Sequence, residues 1–127
     1  MMRKFVETKD APKALAAYAQ GVIYEGRLLF VAGQIGLDPE SGELVPGGVG
    51  PQMVRVMENI KAVLEAGYSS FDKVLKATVY LVNITDYSTI NEIYARYMGV
   101  ELPARATVAV NALPKGALVE VECIAGY

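Results

Sequence analysis

A chain of 127 residues, 53% hydrophobic and 20% charged with a net charge of −2, suits one globular domain over residues 1–127. Such a domain buries about two-thirds of its unfolded surface, so disorder is excluded. The acidic balance lacks the basic footprint of a duplex-binding protein. The absence of histidine removes most zinc, haem and histidine-based nucleophile schemes.

The opening, MMRKFVETKD, has no apolar core of a signal peptide. Residues 4–7 suit a short first strand. Residues 11–20 are alanine-rich and irregular, interrupted by Pro12. Residues 21–25 and 28–35 read as a hairpin turning near Glu25 and Gly26. The longest apolar run, residues 28–32, is too short to cross a bilayer, and a cytoplasmic location is expected. Residues 38–50 carry two prolines and four glycines and read as a loop. No P-loop or dinucleotide fingerprint occurs.

A helix follows, with Met53, Val56, Met57, Ile60, Val63 and Leu64 on one stripe and Gln52, Arg55, Asn59 and Glu65 facing elsewhere. Gly67 is the expected C-terminal stop. Residues 73–82 alternate as a strand: Leu75, Ala77, Val79 and Leu81 on one face, Val74, Lys76, Thr78, Tyr80 and Val82 on the other. A second helix is predicted over residues 86–98, with Asp86 as N-cap and Ile90, Ile93, Tyr94, Tyr97 and Met98 as its stripe. Two final strands join near residues 113–115. Cys123, the sole cysteine, falls in the last one, where a buried thiol acting as a small hydrophobe is expected. This usage suits a reducing compartment.

The order is β-β-β-α-β-α-β-β, an α+β fold with two helices covering one face of a mixed sheet. The other face would show Val74, Thr78, Tyr80, Val82, Leu28 and Phe30, too apolar to meet water alone. A homo-oligomer packed through that face is expected.

Charges among the final strands point to chemistry. Pairing the two strands antiparallel puts Thr107 opposite Glu122 and Ala109 opposite Glu120. Arg105, Thr107, Glu120 and Glu122 then share the interface face. A buried ion needs a partner, because desolvation costs several kcal/mol. Arg105 is therefore either neutralised by Glu122 or a neighbouring acid, or it is a fork for a ligand carboxylate. Glu120, beside a second carboxylate in a partly dry cleft, is the acid/base candidate; a structural ion pair is the competing reading. Gly33 and Gln34 end an apolar strand and could offer backbone donors, although a bend would serve equally. Tyr18 and Gln20 lie in a segment with no strong periodicity.

These residues form a pattern. The run PARATVAVNALPKGALVEVE, with Ala11–Pro12, Tyr18-x-Gln20, GQIGLDPESGE, Gln52, ENI at Glu58 to Ile60 and INEIYA around Asn91 and Tyr94, resembles the RidA/YjgF family, long labelled L-PSP endoribonucleases. The resemblance spans nearly the whole chain. It implies a chorismate-mutase-like homotrimer with clefts between subunits. It also implies an enamine/imine deaminase that converts 2-aminoacrylate and similar species, released by pyridoxal-phosphate-dependent dehydratases, into 2-keto acids and ammonia, with neither metal nor cofactor. By position, Arg105 would hold the substrate carboxylate and Glu120 would orient or activate water. Tyr18, Ala32, Gly33, Gln34 and Asn91 would line the pocket, and Thr107 would act mainly through its backbone.

The chain departs from the family pattern in three places. The usual GPYSQ reads AAYAQ, the serine before Gly33 is Ala32, and the common cysteine two residues after the arginine is Thr107. The two lost hydroxyls bear on substrate choice. They motivate an alternative, a non-catalytic trimer that binds 2-keto acids or similar small carboxylates. RNA cleavage, suggested by the older label, fits poorly with the acidic balance and the lack of histidine.

Overall fold

A computed structural model describes residues 3–127. Its elements are β1 (Lys4–Val6), β2 (Gly21–Ile23), β3 (Leu28–Ile35), α1 (Val49–Ala66), β4 (Val74–Leu81), α2 (Tyr87–Met98), β5 (Ala104–Ala109) and β6 (Val119–Gly126). This is the expected element order in an α+β fold with two helices and a mixed sheet. Among the described residues, no helix is long and apolar enough to cross a membrane.

The strand pairing differs from expectation in two places. β2 pairs with β1, Lys4 opposite Ile23 and Val6 opposite Gly21, rather than forming a hairpin with β3. The main sheet has the order β3-β6-β4-β5, so β5 and β6 are not neighbours. β4 lies between them, and β5 runs parallel to it, Ala77 opposite Arg105 and Val79 opposite Thr107. The β4-α2-β5 segment is a crossover unit, and a helix between two strands is the connection that parallel pairing requires. The antiparallel register proposed for Thr107 and Glu122 is therefore overturned.

Both helices press on one face of this sheet. Val56, Met57, Ile60 and Leu64 of α1 and Ile90, Ile93 and Tyr94 of α2 are buried with Ala77, Val79, Leu81, Val119, Val121, Cys123 and Ala125. Val63 leaves the expected stripe and is exposed, whereas Gln52 joins the interior. The Gln52 side chain is buried because its Oε1 accepts a hydrogen bond from the Leu118 backbone at 2.9 Å. Val74 also changes face and is fully buried. The register slips between Val74 and Lys76, which pair with Ala125 and Ile124. Leu75 is the extra residue, and a bulge of one residue reverses the alternation behind it.

α1 ends at Gly67 as expected, for a different reason. Gly67 has φ of −93°, not a left-handed conformation; a Cβ there would come within 2.5 Å of Leu29 Cδ2. The left-handed residue is Tyr68, at φ of 60°. Asp86 occupies the N-cap of α2 without a side-chain capping bond.

Candidate functional site

β5 is the outer strand of the sheet. Since Arg105 and Thr107 sit opposite Ala77 and Val79, which are core residues, their side chains fall on the helix-facing side. The expected assignment to the open face is thus inverted for these two residues. Arg105 is half-buried and stands against α2. Its Cζ lies 4.8 Å from the centre of the Tyr94 ring and 5.8 Å from that of Tyr87. The segment before β2 closes the third side: Ala19 bridges to Ala104 alongside the strand, which puts the Tyr18 ring 5.9 Å from the same carbon. Three ring faces within about 6 Å attract a guanidinium through their quadrupoles.

The polar partners of Arg105 are few. Nη2 donates to the Tyr87 hydroxyl at 3.3 Å. Nη1 is buried with no hydrogen-bond partner, and so are the Thr107 Oγ1 and the Tyr94 hydroxyl. The carboxylate offered as its neutraliser is elsewhere: Glu122 lies opposite Thr78, on the open face, where it accepts from the Tyr80 hydroxyl at 3.4 Å. Unmade bonds of buried polar groups are costly, and three gathered at one strand edge mark a place that a polar ligand would complete.

Glu120 stands on the other side of the sheet. It lies opposite Tyr80 and Ile35, and Tyr80 is three residues from Ala77, so Glu120 and Arg105 of one chain face opposite ways. The carboxylate leans over β3 at a bulge between Val31 and Gln34. A Cβ on Gly33 would be 2.3 Å from Glu120 Oε2, so only glycine leaves room for this approach. Ala32 is exposed beside it. Gln34 pairs with Val121 and so falls on the side away from Glu120; its Nε2 reaches the Ala32 carbonyl at 3.5 Å.

The predicted residues thus fall into two groups on opposite sides of the sheet. Arg105, Thr107 and Tyr18 belong to one, together with Asn91, which lies four residues after Tyr87 and three before Tyr94 on the same stripe of α2. Ala32, Gly33 and Glu120 belong to the other. Gln20 belongs to neither: its amide donates to the Pro12 carbonyl at 2.7 Å and accepts from the Thr8 backbone at 2.7 Å, clamping the preceding loop. Tyr87 and Tyr94 were missed as site residues. Tyr94 looked like an ordinary core aromatic, and Tyr87 falls outside the apolar stripe. The parallel β4-α2-β5 register is the signal that would have found them. Among the described residues, no group of three or more histidine, cysteine, aspartate or glutamate side chains could hold a metal ion.

Fold and geometry together define an α+β protein with a candidate small-anion site at the edge of a mixed sheet. Residues 8–127 match the Endoribonuclease L-PSP family. The chain is 46% identical over 125 residues to the 2-iminobutanoate/2-iminopropanoate deaminase of Rattus norvegicus, covering 98% of this chain and 90% of that protein. It is 47% identical to a RutC family protein of Pyrococcus horikoshii, covering 98% of each. Among solved structures it is similar to E. coli TdcF with bound serine, with 36% identity, a TM-score of 0.74 and 98% of each chain covered. The chain belongs to the L-PSP family, the RidA/YjgF family of the motif resemblance.

Proposed function

We propose that this protein hydrolyses reactive enamine and imine intermediates, 2-aminoacrylate and its relatives, to 2-keto acids and ammonia. The observation that carries this reading is the buried, unpartnered Nη1 of Arg105. A guanidinium with a free donor is suited to a substrate carboxylate, through charged hydrogen bonds of about 1.5–3 kcal/mol each. The deaminase name carried by a relative 46% identical, and the serine held by TdcF, favour a small amino- or imino-acid ligand.

The imine carbon is already electrophilic, so holding it and shuttling protons are the main demands. Water adds to the C=N carbon as Glu120 takes one of its protons and passes it to nitrogen, giving the neutral carbinolamine. Glu120 then takes the carbinolamine hydroxyl proton and delivers it to the same nitrogen, so that the C–N bond breaks, ammonia leaves and the C=O bond of the keto acid forms. No electrons are exchanged with another reagent.

Within one chain Glu120 and Arg105 lie on opposite faces of the sheet, so the reading requires a second copy. The open face favours such assembly: Phe30 is 69% exposed and Val108 and Leu28 are also exposed, an apolar surface suited to burial. We therefore place the reaction in a cleft between copies of a homotrimer, with the Arg105 half-site of one chain meeting the Gly33–Glu120 half-site of the next. Pyridoxal-phosphate-dependent dehydratases are the proposed suppliers of substrate.

The test couples a threonine dehydratase to this protein and follows ammonia release. Arg105→Ala should remove the acceleration while the oligomer survives, and unchanged release would refute the assignment. Saturable keto-acid binding with imine decay no faster than in buffer would instead favour the non-catalytic reading, to which Ala32, lacking a hydroxyl beside Glu120, lends support.

A further inference from the structure

The hydrogen bond from Arg105 to Tyr87 leaves one feature of the half-site unused. A tyrosine hydroxyl can accept and donate at once. That of Tyr87 accepts from Nη2, and among the described residues this is its only hydrogen bond, so its own proton is free. Accepting from a cation polarises the hydroxyl and strengthens it as a donor. On the other terminal nitrogen, Nη1 is also free. Tyr87 opens α2 at the end of the stripe that carries Asn91 and Tyr94, so the hydroxyl is held by the helix and by the guanidinium together.

We propose that Tyr87 is a second ligand for the substrate carboxylate, its hydroxyl donating to one oxygen while Nη1 of Arg105 donates to the other. This rests on the reading of Arg105 as the carboxylate clamp and deepens it. The Tyr87 hydroxyl takes one of the two N–H groups of Nη2, so the carboxylate is met by a guanidinium–hydroxyl pair rather than by the two terminal nitrogens alone. The pair recognises a planar carboxylate by charge and by two donors, whereas a neutral amide has one acceptor oxygen for Nη1 and would set its NH2 donor against the Tyr87 hydroxyl proton. Tyr87 thereby determines preference for the acid over its uncharged analogues.

The experiment measures the dissociation constants of 2-oxobutanoate and of 2-oxobutanamide by calorimetry, for the wild-type assembly, Tyr87→Phe and Arg105→Ala. Neither ligand needs to be turned over. Tyr87→Phe keeps the ring against the guanidinium; urea denaturation checks that it is folded. The expected result is about ten-fold weaker binding of the acid by Tyr87→Phe, the loss of one charged hydrogen bond, with binding of the amide unchanged. A structural defect would weaken both ligands alike and would overturn the proposal. Wild-type affinity of Tyr87→Phe for the acid, with binding lost only in Arg105→Ala, would overturn it and leave the arginine clamp standing. No saturable binding of 2-oxobutanoate by the wild-type protein would overturn both.

Discussion

Glycine at position 33 is a steric requirement of the carboxylate beside it. A Cβ there would lie 2.3 Å from Glu120 Oε2, and the end of that flexible side chain would have to swing away. Gly33→Ala should therefore cost at least about ten-fold in kcat/KM, since small misplacements of a catalytic group are expensive. The thermal midpoint should change little, because the displaced atom belongs to a side chain rather than the backbone. Full activity with an alanine here would show that the position of Glu120 is irrelevant. Cys123 makes a pH prediction. Burial is the main cause that pushes its thiol from an ordinary 9.0 up to about 12, with Glu122 adding to it. Between those values the unfolded chain has lost the proton and the folded chain keeps it, so stability falls as pH rises from about 9 to about 12. Cys123→Ala should flatten this slope in urea denaturation relative to the parent chain. An identical slope in both proteins would contradict the assignment.

At the scale of elements, the sequence was most legible where the signal is local. Both helices, the four longer strands and the alternation of β6 followed from apolar spacing. The pairing of distant strands did not, because it depends on how α2 returns the chain: the turn-like residues 113–115 resembled a hairpin, while the crossover made β5 parallel to β4 and turned Arg105 toward the helices. Val74 was placed on the wrong face by a bulge of a single residue, which leaves no mark in composition. The candidate site was legible as residue types, Arg105, Glu120, Gly33 and Tyr18, and not as geometry. The tyrosines around the arginine come from two separated segments, Tyr18 before β2 and Tyr87 with Tyr94 on α2, that only the tertiary fold unites. Gln52 illustrates the same limit, as polar residues on helices normally face water. Its Oε1 is the partner of the Leu118 N–H at the start of β6. Gln52→Leu would leave that N–H without its acceptor, and urea denaturation should show a loss of about 1–3 kcal/mol. A variant as stable as the parent would mean that water or a shifted backbone replaces the bond.

The whole molecule is divided by its sheet. The core lies on one side with both helices, and Arg105 stands at the margin of that side; Glu120 is on the other, opposite Tyr80, on the face that also carries Phe30 and Val108. The proposed chemistry needs both groups in one place, and this arrangement supplies them only when the cleft is shared between chains. In a closed ring each interface is heterologous, one patch meeting a different patch of the next copy. Arg105→Ala and Glu120→Gln each damage every cleft of a pure assembly. In a mixed assembly, some clefts pair the intact Arg105 of one variant with the intact Glu120 of the other. The decisive measurement is therefore imine deamination by the two variants unfolded together and reassembled at equal concentrations, compared with each reassembled alone. The account predicts that each variant alone is inactive and that the mixture recovers about a quarter of wild-type activity, the share of clefts assembled from two undamaged halves. A mixture that exchanges subunits and stays as inactive as its components would contradict it, because both groups would then have to act within a single chain.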